Sequence, residues 1–268
     1  MSKITLVCHE NDLLLRSIIS VLSKQSIPFD MLSFKDYCES VEIAVNEQGA
    51  RVYPDTPLFF RPVVPRAEDP ESDEAFMLSE YWSLACSAIN LMSSRKIGDY
   101  GFKANIDAFI PKSGLDLGVM HEARDQYLCS KTYSLPSECS NLYVQSLIDF
   151  GIYPRADTPH AFRAASQLKS DDAIECHQYC VAGETSPLYS QDTGLLTDYP
   201  ETIKGIEVAT KTLFEHYNTD MVGFSYLIYP DGKFQLIDVD PYPPKYNDQI
   251  IINDLAALIV SYLSKEAA

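Results

Sequence analysis

The residue types most able to do chemistry gather at the end of a hairpin. Met221 to Ile228 and Phe234 to Asp240 are runs of β-forming residues around Pro230-Asp231-Gly232, a strong turn signal. The second run ends in Asp238-Val239-Asp240. A strand alternates its faces with period two, so both carboxylates fall on one face at the strand end. Such a pair can be a solvated rim, or pair with Lys245 or Arg61, since neighbouring like charges raise one pKa unless a cation offsets them. Arg61 ends the short run Leu58-Phe-Phe-Arg61. There it could grip a carboxylate bidentately or cap a loop. Tyr242 and Lys245 follow Asp240 closely. Tyr242 offers a flat apolar face with a polar tip, or simply packs between prolines; Lys245 offers a mobile cation. Cys176-His177-x-x-Cys180 has ligand types for a metal, but lies in a strand-like run. The two cysteines then share a face, His177 points away, and no second ligand pair follows.

These residues need a scaffold. Lys3 to Cys8 reads as a buried strand, His9 to Asp12 as a turn and helix cap, and Leu14, Ile18, Val21 and Leu22 as a helical stripe. Phe29 to Phe34 reads as a second strand, which completes a β-α-β opening. No G-x-G-x-x-G or G-x-x-x-x-G-K-[ST] follows the first strand, which argues against a dinucleotide or P-loop site there. Val41 to Val45 and Ala50 to Val52 read as a hairpin. From Ser72 to Arg95 two stripes run at helical spacing, one through Met77, Tyr81, Leu84, Ala88 and Leu91, the other through Leu78, Trp82, Ala85, Ile89 and Met92. Together they predict a long, largely buried helix. Leu142 to Phe150 reads as a short helix and Glu175 to Ala182 as a strand. Glu201 to Tyr217 reads as a helix with Ile203, Ile206, Leu213 and Phe214 inward and charge pairs outward. A terminal helix buries Ile251, Ile252, Leu255, Ile259 and Leu263. The absence of an obvious linker predicts two halves around a shared sheet-centred core.

The 268 residues carry 38 acidic against 21 basic side chains, a formal charge of −17. That argues against nucleic acid and against an anionic membrane, and favours a basic or neutral partner such as a peptide, or plain solubility. Seven irregularly spaced cysteines, no charged leader before an apolar run and no run long enough to span a bilayer predict a reduced, cytoplasmic setting. Seventeen tyrosines suit peptide contacts that are large yet entropically cheap.

Four segments, in order, resemble the ATP-grasp ligases that modify ribosomally made peptides, the microviridin-type ones among them. They are the N-terminal β-α-β; Pro57-Leu-Phe-Phe-Arg-Pro62 with the acidic loop and the long helix bearing Glu80; Cys176-His-Gln-Tyr-Cys-Val-Ala-Gly183; and the helix from Glu201 with the Asp-Gly hairpin and Asp-Val-Asp-Pro241. The resemblance implies an α/β ATP-grasp-like scaffold. A pre-ATP-grasp-like domain with its linker helix would occupy 1–117, and a truncated ATP-grasp C-terminal domain 118–268. In the family, a Glu-x-Asn-Pro strand holds the magnesium of ATP; here Asp238 and Asp240 stand at those positions, as vestiges. The family's first metal-binding Asp falls at Ser225 or Tyr226, and its phosphate-contacting arginine is missing from Glu184-Thr-Ser-Pro187. The chain between Gly118 and Glu175 is too short for linker helices and a full lid, and holds no Gly-rich loop. Phosphoryl transfer needs preorganised cations and a metal. The resemblance therefore implies a protein with no catalytic residues, no cofactor and no metal. It would bind a precursor peptide through Arg61, Tyr242 and Lys245 and present it to a tailoring enzyme, as truncated relatives in crocagin-type pathways are thought to do. The alternative is a minimal ATP-grasp carboxylate-amine ligase acting on a peptide; a nucleotide sensor is a third reading, and a homodimer a further option.

Overall fold

The computed structural model describes residues 3–47, 49–62, 71–98, 143–145, 152–154, 173–190, 193–216, 220–240, 243–244 and 248–265. In chain order the elements are β1 (Ile4–Cys8), α1 (Leu15–Lys24), β2 (Phe29–Leu32), α2 (Phe34–Ser40), β3 (Glu42–Asn46), β4 (Gly49–Tyr53), β5 (Leu58–Arg61), α3 (Asp73–Leu91) and β6 (Lys96–Gly98). Then come β7 (Tyr143–Gln145), β8 (Ile152–Pro154), β9 (Ile174–Val181), β10 (Glu184–Thr185), β11 (Tyr189–Ser190), α4 (Thr193–Leu196), α5 (Pro200–His216), β12 (Met221–Ile228), β13 (Phe234–Asp240) and α6 (Gln249–Ser264). The chain divides into two units, Met1–Asn105 with Asn247–Ala268, and Ile106–Tyr246. Among the described residues, each unit has a buried cluster packed on its own sheet. The terminal helix α6 belongs with the first unit.

The first unit holds a parallel sheet in the order β2-β1-β5-β6. Its middle strands are mostly apolar, as suits strands covered on both faces: Ile4, Leu6, Val7, Leu58, Phe59 and Phe60 are at most 1 % exposed. On one side α1 packs with α6, where Ser17 Oγ donates to Asn253 Oδ1 at 2.9 Å. The other side carries α2 and α3, where Trp82 and Tyr37 tilt against Phe60. The sequence reading runs β2 on to Phe34, but α2 begins there. Ser33 and Asp36 form a reciprocal capping box that starts a helix at once. Helix α3 is far less buried than its stripes predict. Only Ala85, Ala88 and Ile89 are buried, while Phe76 and Met77 are 67 % and 52 % exposed. Its contribution to this core begins at Tyr81.

The second unit holds an antiparallel sheet in the order β10-β9-β12-β13, with β11 also on β9. Cys176, Cys180, Val222, Phe224, Tyr226 and Ile228 face Ile206, Leu213 and Phe214 of α5. Tyr226 brings a hydroxyl into this core and shares a hydrogen bond of 2.9 Å with Thr210. On the solvent side Lys204 pairs with Glu201 and Lys211 with Glu207. The hairpin turn is as the sequence predicts. Gly232 has φ +78, which only glycine adopts cheaply, and Asp231 Oδ1 accepts from Lys233 N–H at 3.1 Å. Of the helix expected over Leu142 to Phe150, Tyr143–Gln145 is a strand paired antiparallel with β8, in keeping with its Tyr and Val.

Candidate functional site

The carboxyl ends of β1, β2 and β5 form one candidate site, in the first unit. The registers set Cys8 beside Arg61 across β1 and β5. The loop after β1 brings Asp12 to the same place. Its Oδ1 accepts the N–H of Leu14 at 2.8 Å, and its Oδ2 lies 3.5 Å from Arg61 Nε. Both side chains are largely buried, 11 % and 12 % exposed. Arg61 is thus engaged inside its own unit, and its contact with Asp12 has no forewarning in the sequence. Burial pushes the Cys8 thiol up to about 12; the Asp12 carboxylate adds to this and Arg61 opposes it. Cys8 is therefore a neutral thiol at physiological pH. Beside these residues opens a cleft of about 500 Å³, with Cys8, His9 and Pro62 on one side and Met31, Phe34 and Lys35 on the other. Crevices at strand ends, where the chain order in a sheet reverses, are the usual binding places of α/β folds. Here the order reverses between β1 and β5.

The second candidate site is the sheet face of the second unit that turns away from α5. Registers place Asp238 opposite Ser225, Ser225 opposite His177, and Asp240 opposite Gly223. A bulge between Ser225 and Tyr226 resets the pairing, so Tyr226 sits opposite Leu236. Ser225, not the core residue Tyr226, is therefore the neighbour of Asp238. His177 Nδ1 and Ser225 Oγ share a hydrogen bond of 2.8 Å, and His177 Nε2 lies 3.8 Å from Glu175 Oε1. Ser225 is buried and His177 nearly so. This Glu175–His177–Ser225 row spans strands 48 residues apart in sequence, and only the register reveals it. Cys176 and Cys180 lie in the core on the opposite face from His177, as their spacing predicts. Among the described residues, no group of three or more His, Cys, Asp or Glu is placed to hold a metal ion. Burial pushes the Cys176 thiol up to about 12. Where the resemblance finds an arginine missing, Ser186 holds the strand instead; its Oγ accepts Tyr179 N–H at 3.0 Å and donates to Pro187 O at 2.7 Å.

Arg61 lies in the first unit, and Asp238 and Asp240 in the second. Tyr242 and Lys245 lie outside the described residues, as does most of the stretch in which a lid is expected to be lacking. Glu80 is exposed on α3. Among the described residues, no helix is long and apolar enough to cross a membrane.

No family model matches the sequence, and no curated protein matches it. Solved structures do match, with nearly the whole chain aligned. The chain is similar to macrocyclase MdnC from Microcystis aeruginosa MRC, solved with precursor peptide MdnA, at 12 % identity and a TM-score of 0.57, covering 97 % of this chain and 99 % of that one. It is similar to ATP-grasp ligase PsnB, solved with a minimal precursor, Mg and ADP, at 10 % identity and a TM-score of 0.55, covering 98 % of both chains. A Chryseobacterium gregarium RiPP-associated ATP-grasp ligase, solved with ADP and a leader and core peptide, matches at 12 % identity and a TM-score of 0.53 over 97 % of both. The fold is that of the ATP-grasp ligases, as the four ordered segments imply.

Proposed function

We propose that this chain binds a ribosomally made precursor peptide without turning it over, and presents it to tailoring enzymes of a peptide natural-product pathway. Two of the structures it resembles were solved with precursor peptides and a third with a leader and core peptide, which supports a peptide as ligand. The observation that carries the non-catalytic half is Ser225. It stands across from Asp238, where the resemblance implies a metal-binding carboxylate, and its hydroxyl is bonded to His177. A hydroxyl already engaged by an imidazole is a poor substitute for a carboxylate on magnesium, which binds hard anionic oxygen. The missing phosphate arginine points the same way, because phosphoryl transfer depends on cations set in place beforehand.

A labelled precursor peptide titrated into the protein without nucleotide tests this reading. Binding in the submicromolar to micromolar range is expected. A protein that binds peptide only with Mg-ATP, or is stabilised strongly by Mg-ADP alone, contradicts it. The second reading, a minimal carboxylate-amine ligase, draws on the likeness to ligases solved with ADP. It requires peptide-dependent ADP release, abolished by Asp238→Asn.

A further inference from the structure

Strand β2 ends the first sheet. Ile4 N–H donates to Pro28 O at 3.0 Å, and Ile4 is registered on Phe29. In a parallel pair this fixes the rest: Asp30 and Leu32 turn their amide groups toward β1, and Phe29 and Met31 turn theirs outward. Among the described residues β2 pairs with β1 alone. An edge of this kind is a template for another strand, and proteins usually guard it with charge, proline or a bulge. Here the guard is thin. Asp30 is engaged by Lys3 at 2.5 Å, and the outward position Met31 is an apolar side chain left 50 % exposed. The carboxyl end of the same strand runs directly into the cleft between Met31, Phe34 and Pro62, with His9, Glu10 and Lys35 at its polar margin.

We propose that β2 and this cleft are the docking surface for an extended peptide segment. The segment adds as a strand along Phe29 and Met31, and one of its bulky apolar side chains enters the cleft. Main-chain pairing then supplies affinity and the cleft supplies selectivity, the division of labour in strand addition. The charge of −17 selects a basic segment over an acidic one. This assignment rests on the peptide-binding reading above and gives it a place.

The probe is the same labelled precursor peptide. Met31→Pro removes an outward N–H that β1 does not use, so the sheet keeps its ladder; Met31→Ala keeps the N–H and removes the side chain. We expect Met31→Pro to weaken binding by about tenfold, the equivalent of one lost hydrogen bond, and Met31→Ala to weaken it less. In hydrogen exchange, the amides of Phe29 and Met31 should gain protection when peptide is added. Should Met31→Pro fail to fold, N-methylating successive peptide residues against the wild-type protein asks the same question, and a loss of binding with period two is expected. Undiminished binding to folded Met31→Pro, with protection appearing elsewhere, overturns the docking surface and leaves peptide binding standing. Absence of binding to wild type overturns both. A dimer that Met31→Pro dissociates would make a second copy of the chain the occupant, and also overturns the assignment.

Discussion

Arg61 and Asp12 hold each other at the end of the first sheet, and their burial sets what substitution there does. Arg61→Ala leaves a carboxylate 11 % exposed without this cation. We expect a loss of about 2 kcal/mol in denaturant unfolding, below the range for fully buried pairs because some solvent remains. Asp12→Asn in the same chain should restore part of it, the signature of coupled neighbours. Peptide affinities of Arg61→Ala therefore mean something only for protein shown to be folded. Tyr242→Ala, if Tyr242 is a peptide contact, should cost about 1 to 2 kcal/mol of affinity in the same titration. Asp55 gives a pH test. Burial pushes its carboxyl up, but hydrogen bonds from Ser93 and Ser94 outweigh this and hold it below its ordinary value. A lowered folded pKa stabilises above the unfolded value, near about 3.9, and that stability is lost as pH falls through the folded one. Asp55→Asn should thus lower the urea midpoint at neutral pH and flatten its fall in acid. The sequence showed Arg61 at a strand end because the apolar run Leu58-Phe59-Phe60 precedes it and Pro62 breaks the strand after it. It could not show Asp12 as its partner, or Ser225 under His177, because both pairs depend on which strands lie side by side.

At the scale of elements, pattern was a good guide wherever two periodicities competed little. The first strand and helix, the hairpin of β3 and β4, and the Pro-Asp-Gly hairpin fall where alternation and turn residues put them. Two misreadings have physical causes. Helix α2 follows β2 after Ser33 alone, so Phe34 reads as a continuation of the strand, and only the Ser33–Asp36 capping box marks the change. Helix α3 has apolar residues on a broad face, but periodicity says which side of a helix is apolar and not whether anything covers it. Gly98 carries a sharper prediction. Its φ is +141, and a Cβ there would run into the backbone carbonyl of Phe60 on the neighbouring strand. Gly98→Ala should force β6 away from β5 and cost roughly 3 kcal/mol or more, a size reserved for strain and lost packing. A melting temperature like that of wild type would show the β5–β6 contact to be less tight than described.

At the scale of the molecule, the resemblance carried in four short segments proves to run through nearly the whole chain, with aligned identity of only 10–12 %. Such a fold survives sequence change because its cores need only apolar residues of suitable size, whereas chemistry needs particular groups. The departures that the resemblance implies fall at Ser225 and at Glu184-Thr-Ser-Pro187. The charge of −17 adds a property of the whole surface: binding of a basic peptide should weaken and slow as salt rises from low to physiological strength. The most direct measurement combines the protein, its precursor peptide and Mg-ATP, separates the complex by size, and takes the intact mass of the peptide in the protein fraction. Peptide is expected at that position with its mass unchanged. Peptide missing from the protein fraction, or lighter by the water lost when a carboxylate and an amine or hydroxyl are joined, would contradict it.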